Sequence, residues 1–221
     1  MLTKEYVSFF KELSANNTSE WFNANKKRYE THVKAPFNEL AQEVINLMKK
    51  IDPAIKVEPK DCVFRINKDI RFSKDKTPYK NFMSAVVSRG GRKEMNHPGI
   101  YFQADATSVT IVGGTYEPDK DQLEKIRKAI VKDPARVNKI LAGKKFTNLF
   151  PTIGEEKYKV LPAEYKAAAE KAPALYNKSF HYEKEYKGQS YVTRTDLASF
   201  IVDHYKAASE WNKFLEDALG K

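Results

Sequence analysis

The sequence is poor in the features that mark secreted and membrane proteins. Its 221 residues include a single cysteine, Cys62, so no disulfide can form within the chain. No run approaches the roughly 20 consecutive apolar residues that span a bilayer. Lysines interrupt the N-terminal stretch MLTKEYVSFFKELSANN, which therefore lacks the continuous apolar core of a secretory signal. These absences predict a cytoplasmic globular protein with no membrane partner.

Signatures of familiar catalytic and cofactor sites are missing as well. The sequence contains no phosphate-binding loop, no dinucleotide fingerprint and no nucleophile elbow. The four histidines lie far apart in sequence and have no partner at a metal-ligand spacing; they are His32, His97, His181 and His204. The sequence therefore predicts no metal site, and it leaves the cofactor and the reaction, if there is one, open.

Basic residues outnumber acidic ones, 39 to 29, which gives a formal net charge of +10. A basic surface raises the local concentration of polyanions, so anionic partners are expected. Many of the lysines lie beside glutamates on helix-like stretches, where a solvated helix face accounts for them. Charge alone leaves two partner classes open, a small anionic ligand and a nucleic acid.

Apolar periodicity predicts helices at both ends of the chain. Residues 4–15 and 18–51 show apolar residues at three- and four-residue steps, with Asn17 as the expected cap of the second helix and Pro36 as its expected break. Further helices are expected after Asp119 and after Asp133, at AEYKAAAEKA, and after Thr195 or Asp196. His204 lies on the apolar stripe of the last of these and is expected in the core.

The middle of the chain changes to strand-like patterns. The segments NFMSAVVSRGG, GIYFQAD and SVTIVGGTYE predict three strands, whereas SFHYEKEYKGQSYVTR is ambiguous. The paired glycines Gly113 and Gly114 favour a bulge or tight turn over a ligand-facing loop. We expect one α+β domain over residues 1–221, in which N-terminal and C-terminal helices flank a mostly antiparallel sheet.

Within the strand predicted over residues 63–72, residues 64–72 carry the clearest alternation. Apolar residues occupy even positions, except Lys68, and polar residues occupy odd ones, so the pattern predicts a strand with one buried and one displayed face. The expected buried residues are Phe64, Ile66, Ile70 and Phe72. The expected displayed residues are Arg65, Asn67, Asp69 and Arg71.

The polar face and the turn SKDKTPYK that follows it predict a binding site. Guanidinium, amide and ammonium groups that converge on one loop suit a phosphate or a carboxylate. The expected ligand-binding residues are Arg65, Asn67, Asp69, Arg71, Lys74, Lys76, Tyr79 and Lys80. Asp69 and Asp75 are the candidates for a general base, should the site be catalytic.

Two other interpretations stay open. Aromatic residues interleaved with basic ones are typical of nucleic-acid-binding surfaces; here they are Phe72, Tyr79 and Phe82. Alternatively, the charges pair with each other in an exposed hairpin, and the protein is a structural or protein-interaction domain.

Several motifs resemble a known family. In order they are FFKELSANNTSEWFNANKKRYE, VFRINKDIRFSKDKTPYKN, GIYFQ, GGTYEP with IRKAI, and YKAAAEKAPALY. They resemble the signatures of domain-of-unknown-function family 2461, over most of the chain. The resemblance implies a compact, mostly bacterial cytoplasmic domain with no established activity and no known cofactor. This chain has Lys68 where the family's motif implies an arginine, which weakens any role that needs a bidentate guanidinium at that position.

Overall fold

The computed structural model describes residues 1–93 and 98–220, which contain a four-stranded antiparallel sheet. Neighbouring strands follow chain order, so the sheet is a meander. Its strands are β1 (Met83–Val87), β2 (Gly99–Ala104), β3 (Ser108–Thr115) and β4 (Phe180–Lys187). The α+β class and the three expected strands are confirmed, and the ambiguous segment supplies β4.

Helices precede and follow the strands. Before β1 come α1 (Lys4–Ala15), α2 (Ser19–Ala24), α3 (Lys26–Tyr29), a turn of π-helix (Glu30–Lys34), α4 (Ala35–Lys49) and α5 (Pro59–Cys62). Between β3 and β4 come α6 (Lys120–Lys132), α7 (Pro134–Ala142), α8 (Lys144–Thr147) and α9 (Ala163–Ala169). After β4 come α10 (Gln189–Val192), α11 (Leu197–Ala207) and α12 (Ser209–Leu219). Short 3₁₀ turns cover Gly91–Lys93 and Pro173–Tyr176.

Contacts divide the described residues into two compact units. The first comprises Met1–Lys93, Tyr101–Ile111 and Glu185–Val202. The second comprises 98–100, Val112–Lys184 and 203–220. The expectation of one domain stays a prediction.

The first unit is built on the apolar stripes of α1 and α4. The stripe of α1 is buried and contributes an aromatic cluster that includes Phe9 and Phe10. The stripe expected after Pro36 is buried in α4, except that Leu47 is half-buried, and Ile51, which lies beyond the end of α4, is 40% exposed. The long helix expected over 18–51 is instead four segments. Pro36 lies in the first turn of α4, where no intrahelical bond to its nitrogen is needed. The helical cap is Thr18, whose hydroxyl accepts a hydrogen bond from the Trp21 N–H at 3.2 Å, and not Asn17.

The second unit buries a separate apolar core beneath α6, α7 and α12. Its two expected caps are confirmed, because Asp119 and Asp133 each accept a backbone hydrogen bond at 2.9 Å. Gly113 packs against the phenol of Tyr182, which occupies the space that a side chain at position 113 would need. Both glycines lie within β3 and serve packing there, and the expected bulge or tight turn stays a prediction.

The regular strand predicted over 63–72 is not formed. The segment has only two isolated bridges, Val63 to Ala85 and Asn67 to Tyr79. After Lys68, side chains accept hydrogen bonds from backbone N–H groups that would otherwise bond to a neighbouring strand. Asp69 accepts from the Arg71 N–H, and Asp75 accepts from the Thr77 N–H.

The alternation of burial in this segment is kept only in part. Of the residues expected to be buried, Ile66 is 4% exposed, whereas Phe64 and Ile70 are only half-buried. The four polar residues at odd positions are exposed, as expected. Phe72, expected in the core, is 95% exposed because no strand carries it back to the interior.

Candidate functional site

A cleft of about 510 Å³ opens in the first unit beside the start of the polar segment. Its apolar wall is formed by Phe22, Tyr29, Pro59, Val63, Phe64, Ile66 and Met83. Its polar wall is formed by Lys26, Glu30, Lys34, Asn38, Lys60, Arg65, Asn67 and Arg92. The volume is within the range of small-molecule sites, which combine an apolar lining with a few polar groups.

Two of the cations that line the cleft are neutralised by neighbours. Lys34 forms an ion pair with Glu30 at 2.9 Å on the turn of π-helix. Lys60 forms one with Glu58 at 2.7 Å. These pairs are exposed and contribute little net charge to the cleft.

Three other cations of the cleft form no ion pair with a carboxylate among the described residues. Arg92 donates to the main-chain carbonyls of Lys60 and Asp61, at 2.6 and 3.3 Å, and these acceptors carry no formal charge. The side chains of Lys26 and Arg65 form no hydrogen bond or ion pair with any part of the chain that the structure describes. The cleft therefore has an excess of positive charge and free donors.

Lys80 adds a fourth cation beside the same wall. Its ammonium lies 5.5 Å from the ring centroid of Phe64, a residue of the cleft, and 5.9 Å from that of Phe82. Within the described residues the ammonium has no acidic partner and no hydrogen bond. Partial burial, and secondarily the charge of Arg65, lower the pKa of Lys80.

The main chain fixes where Lys80 lies. Its N–H donates to the carbonyl of Ile66 at 2.9 Å, and the preceding residue, Tyr79, is buried and stacks on Phe22 with ring centroids 4.0 Å apart. The position of the main chain at Lys80 is thus fixed by this hydrogen bond and by the packing of Tyr79.

The side chains of the loop from Lys68 to Thr77 form ion pairs and hydrogen bonds mainly with other residues of the same loop. Asp69 forms a two-pronged ion pair with Arg71 at 2.9 and 2.6 Å. The ammonium of Lys68 contacts Asp75 at 2.7 Å and Thr77 at 2.5 Å. This arrangement agrees with the interpretation of the loop as a self-paired hairpin.

These ion pairs also bear on the two candidate bases. Hydrogen bonds from Arg71 lower the pKa of Asp69, and hydrogen bonds from Lys68 and Thr77 lower that of Asp75. A carboxylate whose ionised form is stabilised in this way is a weak proton acceptor at neutral pH.

The structure thus divides the expected ligand-binding residues into three groups. Arg65 and Asn67 line the cleft, and Lys80 lies beside it. Asp69, Arg71, Lys74 and Lys76 lie in the loop outside the cleft lining, as does the candidate base Asp75. Tyr79 lies in the core, where the residue is 7% exposed and its ring stacks on Phe22.

Sequence reasoning missed Lys26 and Arg92 as parts of the cleft. Lys26 lies in the stretch KKRYE, where a solvated helix face was the expected role, and Arg92 follows paired glycines with no motif around it. Their convergence depends on how distant segments pack, so no spacing in the sequence could have indicated it.

Two further properties concern the whole of the described chain. In residues 1–93 and 98–220 there is no group of three His, Cys, Asp or Glu side chains placed to hold a metal ion. Across those same residues, no helix is both long and apolar enough to cross a membrane. His204 is buried as expected, at 3% exposure, and His97 lies outside the described residues.

Comparison with known families gives one assignment. The profile of the family described as conserved hypothetical protein (DUF2461) matches residues 5–214. Comparisons with curated proteins and with solved structures gave no match. Since the matched residues cover nearly the whole sequence and include both the cleft and the loop, the chain belongs to the DUF2461 family of conserved hypothetical proteins.

Proposed function

We propose that the cleft of the first unit binds a small ligand that carries a phosphate or carboxylate group. The observation that carries this proposal is the set of cations on one wall that form no ion pair among the described residues, Lys26, Arg65 and Arg92, with Lys80 beside it. Cations that lack a protein counter-ion repel one another, and a bound anion relieves that repulsion.

The charge on this wall favours a ligand with more than one negative charge. A guanidinium without a partner, such as that of Arg65, presents the fork that binds phosphate or carboxylate with two hydrogen bonds. The amide of Asn67 can bind the hydroxyl groups of the same ligand, and the apolar wall with Phe22 and Tyr29 can take its carbon skeleton. A phosphate monoester meets these requirements better than a monocarboxylate.

The self-paired loop makes no direct contact with the ligand in this proposal. The ion pairs of Asp69 with Arg71 and of Lys68 with Asp75 join residues of the loop to each other, and none of these residues belongs to the cleft lining. Direct ligand contact is assigned to the lining residues Lys26, Arg65, Asn67 and Arg92.

A thermal-shift screen with sugar phosphates, nucleoside monophosphates and small carboxylates tests the proposal. A ligand at 100 times its dissociation constant stabilises the folded state by about 2.7 kcal/mol, which raises the melting temperature of a protein of this size by roughly 5 to 10 °C. We expect Arg65→Gln to abolish a selective shift. Arg71→Gln is the matched control, because Arg71 is paired with Asp69 outside the cleft, and it should keep the shift.

A nucleic acid is the alternative ligand, and the binding experiments must distinguish it from a small phosphate or carboxylate compound. A nucleic-acid surface would bind oligonucleotides with an affinity that falls steeply as salt rises, because several cations displace counter-ions together. Strong oligonucleotide binding with that salt dependence, and no small phosphate or carboxylate that stabilises the protein, would overturn the proposal. Equal loss of the shift in the Arg65 and Arg71 variants would also overturn it.

A further inference from the structure

The second unit has a cleft of its own, with a volume of about 510 Å³. Its apolar lining includes Leu141, Phe146, Ile153 and Ala174. Its polar lining includes Glu155, Lys157 and Asn177. All of these residues lie within Val112–Lys184, so this cleft shares no residue with the anion site of the first unit.

Asn177 is a buried polar residue with unused hydrogen-bonding groups. The residue is 2% exposed, and its Nδ2 donates one hydrogen to the Ile153 carbonyl at 2.9 Å. A side-chain amide has a second N–H hydrogen and an acceptor oxygen, and neither forms a hydrogen bond within the described residues. In that part of the chain, the unbonded side-chain oxygens that protein atoms enclose completely are those of Thr115 and Asn212. The Oδ1 of Asn177 is therefore open to the cleft that the residue lines.

The position of the Asn177 amide is fixed by its surroundings. Antiparallel main-chain hydrogen bonds of 2.7 and 2.9 Å flank the residue and set it opposite Lys157. The bond from Nδ2 to Ile153 then orients the side chain. An amide held in this way presents one donor and one acceptor, which are complementary to the C=O and N–H of a second amide. Buried polar groups normally have partners, and the amide of a ligand supplies them here.

Two charged residues of opposite sign line the same cleft. Glu155 and Lys157 are exposed, and neither side chain forms an ion pair or a hydrogen bond with a described residue. They are two positions apart, so their Cα atoms are separated by at most about 7 Å. The residue between them, Glu156, differs because it pairs with Lys178 at 2.8 Å and does not line the cleft.

We propose that the cleft of the second unit binds a dipeptide with apolar side chains. Asn177 binds the central amide, Glu155 the terminal ammonium and Lys157 the terminal carboxylate, while the apolar lining contacts a side chain. A free amino acid has no amide for Asn177, and the two ends of a longer peptide lie too far apart to reach both charged residues. The inference is independent of the anion site, because it concerns other residues in the other unit.

Isothermal titration calorimetry of the full chain with L-leucyl-L-leucine tests the inference. We expect a single site with a dissociation constant below about 1 mM. The ester analogue, in which an oxygen atom replaces the central N–H, should bind roughly 3- to 10-fold more weakly, because it loses the hydrogen bond to the Oδ1 of Asn177. Two further compounds should not bind measurably: the N-acetylated dipeptide amide, which lacks both charges, and seryl-serine, which lacks apolar side chains.

Variants of exposed residues assign the two ends of the ligand. Glu155→Gln and Lys157→Gln should each weaken binding of leucyl-leucine by about 2- to 5-fold, since these ion pairs form at an exposed rim. The matched controls are Glu156→Gln and Lys159→Gln, which make the same change of charge outside the cleft lining and should bind as the wild-type protein does.

Three results would overturn the inference. They are a dissociation constant above about 1 mM for leucyl-leucine, equal binding of the dipeptide and its ester analogue, and equal losses in the lining variants and their controls. The Arg65-dependent thermal shift expected at the anion site does not depend on any of these outcomes, so the two proposals fail separately.

Discussion

The side chain of Asn17 holds the main chain of Tyr79 through two hydrogen bonds. Its Nδ2 donates to the Tyr79 carbonyl at 2.9 Å, and its Oδ1 accepts from the Tyr79 N–H at 3.1 Å. The same Nδ2 lies 3.1 Å from the Oδ1 of Asn81. Asn17 thus mimics a strand beside this segment and secures the residue that precedes Lys80.

We expect Asn17→Ala to destabilise the protein by roughly 1 to 3 kcal/mol, because each of two net hydrogen bonds contributes about 0.5 to 1.5 kcal/mol. Chemical denaturation monitored by circular dichroism measures the free energy of unfolding. Asn16→Ala is the control, since Asn16 is exposed and its side chain donates to a single acceptor among the described residues, the Glu12 carbonyl. Equal losses in the two variants would contradict the structural role of Asn17.

We expect Phe72→Gln to change the free energy of unfolding by less than about 0.5 kcal/mol, because its side chain is 95% exposed. Ile66→Ala should cost about 2 to 5 kcal/mol, because Ile66 is 4% exposed and its removal leaves a cavity. Both residues were expected on one buried face of a strand. A large loss in the Phe72 variant, measured by urea unfolding, would favour the strand over the loop.

The ion pair between Glu12 and Arg28 should make stability depend on acid pH. Hydrogen bonds from Arg28, and next from Ser8, lower the pKa of Glu12 to about 2. A carboxyl with a lowered folded-state pKa stabilises the fold above its unfolded pKa of about 4.3, and this stabilisation is lost as the pH falls through the folded value. Both side chains are more than 40% exposed, so water screens the interaction and the effect should stay below about 1 kcal/mol.

Urea unfolding at a series of pH values between 2 and 6 measures this contribution. In Glu12→Gln the fall in stability between about pH 4.5 and 2 should be smaller than in the wild-type protein, and the two proteins should converge at the acid end. Glu39→Gln is the control, since Glu39 is exposed on α4. Parallel curves for the wild-type and Glu12 proteins would show that the ion pair contributes nothing to folding.

The sequence by itself determined the elements whose cause is local. The buried stripes of α1 and α4, the caps at Asp119 and Asp133 and the three apolar strands follow from periodicity and from side chains that bond within a few residues. Membership of the family could be predicted from the sequence for the same reason, because the family's motifs are contiguous stretches of residues.

The tertiary structure decided what depends on the path of the chain. Lys26 and Arg65 are 39 positions apart in sequence, and only the tertiary structure shows that they line the same cleft. The tertiary structure also shows that the side chain of Phe72 is exposed to water, although the sequence alternation predicted that it is buried. Charged groups in a flexible segment bond to whichever partners lie nearest. In this chain the side chains of the loop from Lys68 to Thr77 pair with each other, while Arg65 and Lys80 form no ion pair among the described residues.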